Sequence, residues 1–177
     1  MPQVALVIAE RTFRDEEYQV PKEILSRAGV TVLTACAKLD EAIGKLGLKV
    51  HPDTLLRDLA IKDPDALIFI GGGGGSSQYF DDPTAHELAR SYVNRGKILG
   101  AICIAPVILA NAGVLKGRKA TVFPDGKECL AAGGAIYTGN LVEVDRTAPT
   151  GACIITGCGP EAAERFGEEL VKLVTGD

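Results

Sequence analysis

Apolar and polar positions along the chain alternate between two rhythms. Gln3 to Ala9 is a short, almost continuous apolar run, the pattern of a strand covered on both faces. Val20, Ile24 and Leu25 then recur at helical spacing between Asp15 and Arg27, Gly29 supplies a stop, and Val30 to Ala35 returns to apolar, β-branched residues. Strand, helix and strand in close succession predict a βαβ unit with a right-handed crossover. Asp65 to Ile70 is a third apolar run and ends in five consecutive glycines, Gly71 to Gly75. Asp82 predicts a helix cap with Pro83 at the first helical position, the helix running to about Arg95 before Gly96. Ile98 to Ile102 predicts a fourth strand, and Pro106 to Ala112 a short helix ended by Gly113.

Beyond Thr121 the rhythm loosens. Ala135 to Thr138, Leu141 to Asp145 and Cys153 to Thr156 read as shorter strands, and Asp145 to Ala152 as an exposed hairpin tip in preference to a segment that reaches a neighbouring subunit or covers the pocket. Glu161 to Val174 is amphipathic, with Ala162, Phe166, Leu170 and Val174 on one stripe. The alternation predicts an α/β protein with a flavodoxin-like three-layer α/β/α sandwich and a mostly parallel central sheet. With 177 residues and no linker, repeat or low-complexity tract, residues 1–177 read as a single domain. In such sheets ligands bind beyond the carboxyl ends of the strands, where Gly71 and Cys103 fall.

Composition narrows the chemistry. Apolar residues at 46% and charged residues at 24% exclude a disordered or fibrous chain. A net charge of −4, without basic residues interleaved with aromatics, argues against nucleic-acid binding. The chain has no apolar run of membrane-spanning length, and its N-terminal residues lack the features of a signal peptide, so a cytoplasmic protein with no membrane partner is expected. The five cysteines, Cys36, Cys103, Cys129, Cys153 and Cys158, are odd in number and scattered, which disfavours a disulfide scaffold. The two histidines, His51 and His86, show no ligand spacing with a cysteine, so no metal is expected. The absence of a GxGxxG opening into a helix, or of Gly-Lys-Ser/Thr, leaves no cofactor indicated.

One segment points to chemistry. Ala101-x-Cys103-x-Ala105 has the small-x-nucleophile-x-small spacing of a nucleophile elbow, where a strand turns too sharply into a helix for larger neighbours. Amides at the start of the following helix would favour a Cys103 thiolate. Spacing alone leaves a buried structural cysteine equally open. The glycine run is compatible with backbone amides approaching an anion, or with a plain turn. Asp15, Glu16 and Glu17 open the first helix, where its dipole stabilises them without any further role.

Taken together, the chain resembles the ThiJ/PfpI superfamily, which contains the parkinsonism-associated protein deglycase, the PfpI-type intracellular proteases and glyoxalase III, on a class I glutamine-amidotransferase-like fold. The resemblance rests on Glu17 four residues before Pro21, on Ala-Leu-Ile-Phe-Ile-Gly-Gly at 66–72, and on Ala-Ile-Cys103-Ile-Ala-Pro followed by Ala-Gly-Val-Leu-Lys-Gly-Arg-Lys-Ala-Thr at 112–121. Thr-Gly-Cys-Gly-Pro160 matches the closing motif, with Cys158 where arginine or another polar residue is common.

The resemblance implies that Cys103 is the reactive cysteine and Glu17 its carboxylate partner, the latter protonated and donating a hydrogen bond to the sulfur. It implies that Gly71, Gly72 and Gly73, with Ile104, line the binding pocket, and that the chain forms a homodimer or higher homo-oligomer. Two departures bear on activity: Ile104 and Phe123 stand where enzymatic members place histidines. A Cys-His-acid peptidase triad is therefore not expected. The favoured expectation is glyoxalase- or deglycase-type action on a small reactive carbonyl. The alternative is a redox sensor or stress-response protein in which an oxidant converts Cys103 to sulfinate; a third reading is an inert or chaperone-like member.

Overall fold

Seven strands share one sheet in the computed structural model, which describes residues 1–73 and 77–177. They are β1 (Gln3–Val7), β2 (Thr31–Cys36), β5 (Thr54–Leu55), β6 (Ala66–Phe69), β7 (Ile98–Ile102), β10 (Val142–Asp145) and β11 (Cys153–Gly157), in the order β10-β11-β7-β6-β1-β2-β5. Every pairing is parallel except that of β10 with β11. Val4 of β1 lies opposite Val32 of β2 on one side and Ala66 of β6 on the other.

The near-continuous apolar runs follow from burial on both faces. Along β1 and the residue after it, Ala5 and Val7 join one core, whereas Val4, Leu6 and Ile8 join the other. The first core is closed by helices α3 (Pro83–Asn94), α4 (Pro106–Asn111) and α5 (Lys127–Ala132), the second by α1 (Asp15–Arg27) and α6 (Ala163–Thr175). Gly167 lets α6 close on α1: a Cβ there would stand 3.0 Å from Pro21 Cα. Phe166 is fully buried beneath this contact, and its truncation to alanine is expected to cost about 3–5 kcal/mol. Asp82 caps α3 as its sequence predicts, its side chain accepting from the Ala85 amide at 3.0 Å.

Several elements lack a readable period because they are only a few residues long. They include a hairpin of β3 (Ala42–Ile43) and β4 (Lys49–Val50), the helix α2 (Leu59–Lys62), and a separate parallel pair of β8 (Lys119–Ala120) and β9 (Ile136–Tyr137). The predicted strand at 135–138 therefore lies outside the main sheet. Residues 145–152 join the antiparallel pair β10 and β11 as a hairpin whose Arg146, Thr147, Pro149, Thr150 and Gly151 are exposed, as expected, though it is anchored at other points. Asp145, Ala148 and Ala152 are buried, and the Thr150 hydroxyl donates to the Val93 carbonyl, which ties the segment to the end of α3. Among the described residues no helix is long and apolar enough to cross a membrane.

The sheet places its switch point between β1 and β6, whose crossovers run in opposite directions. The carboxyl ends of β1, β6 and β7 converge there, which is where a doubly wound sheet opens a crevice.

Candidate functional site

The chain leaves β7 at Ile102 and turns at Cys103, which takes a left-handed φ of +64°. That conformation is strained for a side chain bearing a Cβ, and the backbone holds it from both sides. The Cys103 amide donates to the Gly157 carbonyl at 2.8 Å, and its own carbonyl accepts from the Phe123 amide at 2.8 Å. Ala101 and Ala105 on either side are fully buried, so larger residues would not fit the turn. The segment is thus an elbow in geometry as well as in spacing.

Glu17 reaches the same point from the first turn of α1. The helix start is fastened to the end of β6 by the Arg14 amide, which donates to the Gly71 carbonyl at 2.9 Å. Glu17 is completely buried, and its Oε2 accepts from the Gly71 amide at 3.1 Å. Its Oε1 is buried with no hydrogen-bond partner among the described residues. Pro21 four residues later lacks an N–H, so the Glu17 carbonyl has no helical donor from that position.

Gly71 is required by crowding. A Cβ there would lie 2.6 Å from Cys103 Cβ and 2.8 Å from Glu17 Oε2. Gly72 has φ +123°, and a Cβ on it would run into the Arg14 amide nitrogen and the Thr12 carbonyl. Gly73 lies on the pocket wall, whereas Gly74 and Gly75 lie outside the described residues.

The two ionisable groups act on one another. Burial lifts the Glu17 carboxyl to about 7, although the neighbouring Cys103 thiol, the Gly71 amide and Arg14 each pull it down. Burial also pushes the Cys103 thiol above its ordinary value, and Glu17 adds to the rise by charge and hydrogen bonding. The amides of Ile104 and Gly72 favour a thiolate, as the elbow predicts, but burial and the carboxylate outweigh them. Burial and the neighbouring carboxyl thus favour the thiol form of Cys103, whereas the backbone amides favour the thiolate.

These groups open into a hollow of about 340 Å³. Gly72, Gly73, Cys103 and Ile104 stand on its walls with Glu17, and Phe123 and Pro160 close its apolar side. Arg14, Lys45 and Asp125 complete the rim, and sequence reasoning missed all three. Only Lys45 left a signal, as the residue beside Gly44 in the Gly-Lys-Leu-Gly turn at 44–47. Asp15, dismissed above as a dipole partner, accepts from the Leu46 and Leu48 amides and so shapes that turn.

The histidines stay apart from these walls. His51 pairs with Glu41 at 3.3 Å, and the His86 ring bonds the Phe80 carbonyl at 2.7 Å. Cys158 lies beside Glu161, its Sγ 3.5 Å from Oε1. Among the described residues no group of three His, Cys, Asp or Glu side chains is placed to hold a metal. A larger hollow along α1, lined by Tyr18, Lys22 and His51, contains no cysteine. With a nucleophile, a matched carboxylate and amides beside the sulfur, the smaller hollow can activate a thiol and exchange a proton with whatever the thiol attacks.

Comparison with known proteins gives a consistent picture. The DJ-1/PfpI family model matches residues 3–173. An uncharacterized protein of Methanocaldococcus jannaschii is 35% identical over 173 residues, covering 97% of this chain and 82% of its own length. Protein dj-1beta of Drosophila melanogaster is 30% identical over 177 residues, covering 99% and 91% respectively. Among solved structures, a ThiJ/PfpI domain protein from Brachyspira murdochii superposes with a TM-score of 0.91 at 27% identity, over 99% of this chain and 97% of its own. The crystal structure of Drosophila DJ-1beta gives a TM-score of 0.87 at 28% identity, over 100% and 92%.

Proposed function

Because the chain belongs to the DJ-1/PfpI family, we propose that the Cys103–Glu17 pair makes it a glyoxalase- or deglycase-type enzyme acting on small reactive carbonyls. The observation that carries this reading is the buried Glu17 carboxyl, lifted to about 7 and coupled to the Cys103 thiol. A base whose pKa sits near the working pH combines enough ionised form with enough proton affinity to be effective.

In this mechanism the Glu17 carboxylate takes the thiol proton as Cys103 Sγ adds to the aldehyde carbon of a 2-oxoaldehyde. The developing oxyanion faces the amides of Ile104 and Gly72, and Glu17 returns the proton to it, giving a hemithioacetal. Glu17 then removes the proton from the former aldehyde carbon and delivers it to the adjacent carbon through an enediol, leaving a thioester on Cys103. Water hydrolyses the thioester and restores the thiol. The balance is one 2-oxoaldehyde plus one water to one 2-hydroxy acid, with no external oxidant. Ile104 and Phe123 leave no imidazole beside Sγ, so the carboxylate performs the whole proton transfer and a peptidase triad is not part of this reading. Purified protein should convert methylglyoxal to lactate, followed by proton NMR. Retention of full activity by Cys103→Ser would overturn the proposal.

A second reading, oxidation of Cys103 to sulfinate by a peroxide, is favoured by the unpartnered Glu17 Oε1. Protonated, that oxygen would donate to a sulfinate oxygen. Mild peroxide should then add two oxygens at Cys103 by intact mass, and exclusive oxidation of Cys129 or Cys158 would count against it.

We further propose a homodimer in the cytoplasm. The free thiols of all five cysteines suit a reducing compartment. Light scattering on the purified protein tests the assembly, and a monomeric mass would overturn it.

A further inference from the structure

The Gly44–Leu48 turn is held against the rim of the Cys103 hollow more firmly than a plain hairpin tip requires. The buried Asp15 carboxylate accepts from the Leu46 amide at 3.1 Å and the Leu48 amide at 2.9 Å. Gly44 donates to the Leu48 carbonyl at 2.8 Å, and the Lys45 amide donates to the Phe13 carbonyl at 2.8 Å. Gly44 lies so close to Asp15 that a Cβ would collide with the carboxylate. The result is a fixed backbone that sets one exposed cation, Lys45, on the rim of the hollow.

The other cation of the rim is engaged. Arg14 Nε binds Glu16 Oε2 at 2.8 Å and Nη2 lies 3.4 Å from Oε1. Lys45 makes no ion pair or side-chain hydrogen bond among the described residues, with Asp125 of the same rim or with any other acid. An ammonium is matched by a carboxylate or phosphate oxygen, and the hollow offers about 340 Å³, far more than methylglyoxal fills.

From this placement we infer that Lys45 is a specificity-determining residue that binds the anionic end of the substrate, so that the preferred substrates are 2-oxoaldehydes carrying a carboxylate or phosphate beyond the ketone. This rests on the carbonyl chemistry proposed for Cys103. The anionic group stays unchanged while R–CO–CHO and water become R–CHOH–COOH, and its attraction to Lys45 orients the aldehyde carbon toward Sγ.

The test compares kcat/KM for methylglyoxal, 4,5-dioxopentanoate and 3-phosphooxy-2-oxopropanal in the wild type, Lys45→Ala and Lys45→Arg. Wild type should favour at least one anionic probe over methylglyoxal by about tenfold, the equivalent of one charged hydrogen bond, and the better probe identifies the anion. Lys45→Ala should remove that advantage, its loss on the anionic probe exceeding any loss on methylglyoxal by about tenfold, and Lys45→Arg should retain most of the advantage. Equal loss on all three probes, or no loss on any, would overturn the inference. If no probe is turned over, the carbonyl chemistry itself fails and binding decides the role of Lys45. Protection of Cys103 from iodoacetamide by 2-oxoglutarate should then weaken about tenfold in Lys45→Ala, with protection by neutral hydroxyacetone unchanged. Indifference of 2-oxoglutarate protection to Lys45→Ala would overturn it.

Discussion

The carboxyl of Glu17 and the thiol of Cys103 are buried against one another at the carboxyl end of the sheet, where the Glu17 carboxylate raises the proton affinity of the thiol and the thiol lowers that of the carboxylate. The pair thus titrates as a unit, with Glu17 the group that loses its proton near neutrality.

Glu17 burdens the fold when it ionises. Its carboxyl rises from 4.5 to about 7 on folding, so between those values the native state holds a proton that the unfolded chain has released. Stability is then greatest below the unfolded value and falls as pH rises toward 7, by about 3 kcal/mol from this group. Glu17→Gln should remove this decline and be more stable than the wild type at pH 8. Urea midpoints from pH 4.5 to 8 check it, and a variant less stable than the wild type at pH 8 would contradict the assignment.

The same ionisation governs turnover. If the carboxylate is the base, kcat/KM for methylglyoxal should rise with pH through about 7 and level above it. Glu17→Gln should lower the plateau by about 10²–10⁴-fold, the usual contribution of a positioned base. A pH profile unchanged by that variant would remove Glu17 from the proton transfer.

Thiol reactivity reports the coupling from the other side. Glu17 raises the proton affinity of Cys103 by charge and by hydrogen bonding. In Glu17→Gln the iodoacetamide labelling of Cys103 should therefore rise at lower pH than in the wild type. Peptide mass mapping across pH 6–10 reads the midpoint, and a shift upward would mean that the protonated acid chiefly supports a thiolate.

Gly71 offers a steric test. A methyl there meets Cys103 Cβ at 2.6 Å and the Ile102 carbonyl oxygen at 2.6 Å, neither of which is the end of a flexible side chain. Gly71→Ala should cost about 1–3 kcal/mol and displace the elbow, with loss of methylglyoxal turnover. Gly113→Ala serves as a control, because its φ of +80° is strained but nothing stands within 4 Å of the added Cβ.

Much of the frame was legible because burial on both faces leaves a direct mark. The apolar run from Gln3, the Pro83 start of α3 and the limits of α1 and β7 are local signals, each set by period or cap. The Ala-x-Cys-x-Ala spacing marked the elbow for a similarly local reason, since a sharp turn excludes large neighbours. The turn at 44–47, by contrast, has no period, and the purpose of Asp15 in holding it depends on contacts with residues thirty positions away.

By itself, then, the amino-acid order determined the layered α/β architecture and marked Cys103 as a candidate elbow nucleophile, whereas Glu17 entered as its carboxylate partner only through the family resemblance. Tertiary structure decided the direction in which their proton affinities shift, because desolvation and mutual contact exist only once α1 and the elbow meet, and there burial opposes the backbone amides that favour a thiolate. It also decided which charges stand at the rim. Arg14 follows β1, Lys45 sits in the β3–β4 turn and Asp125 in a turn after β8, and they reach one hollow only because Asp15 holds the Lys45 turn and the Phe123 amide bonds the Cys103 carbonyl.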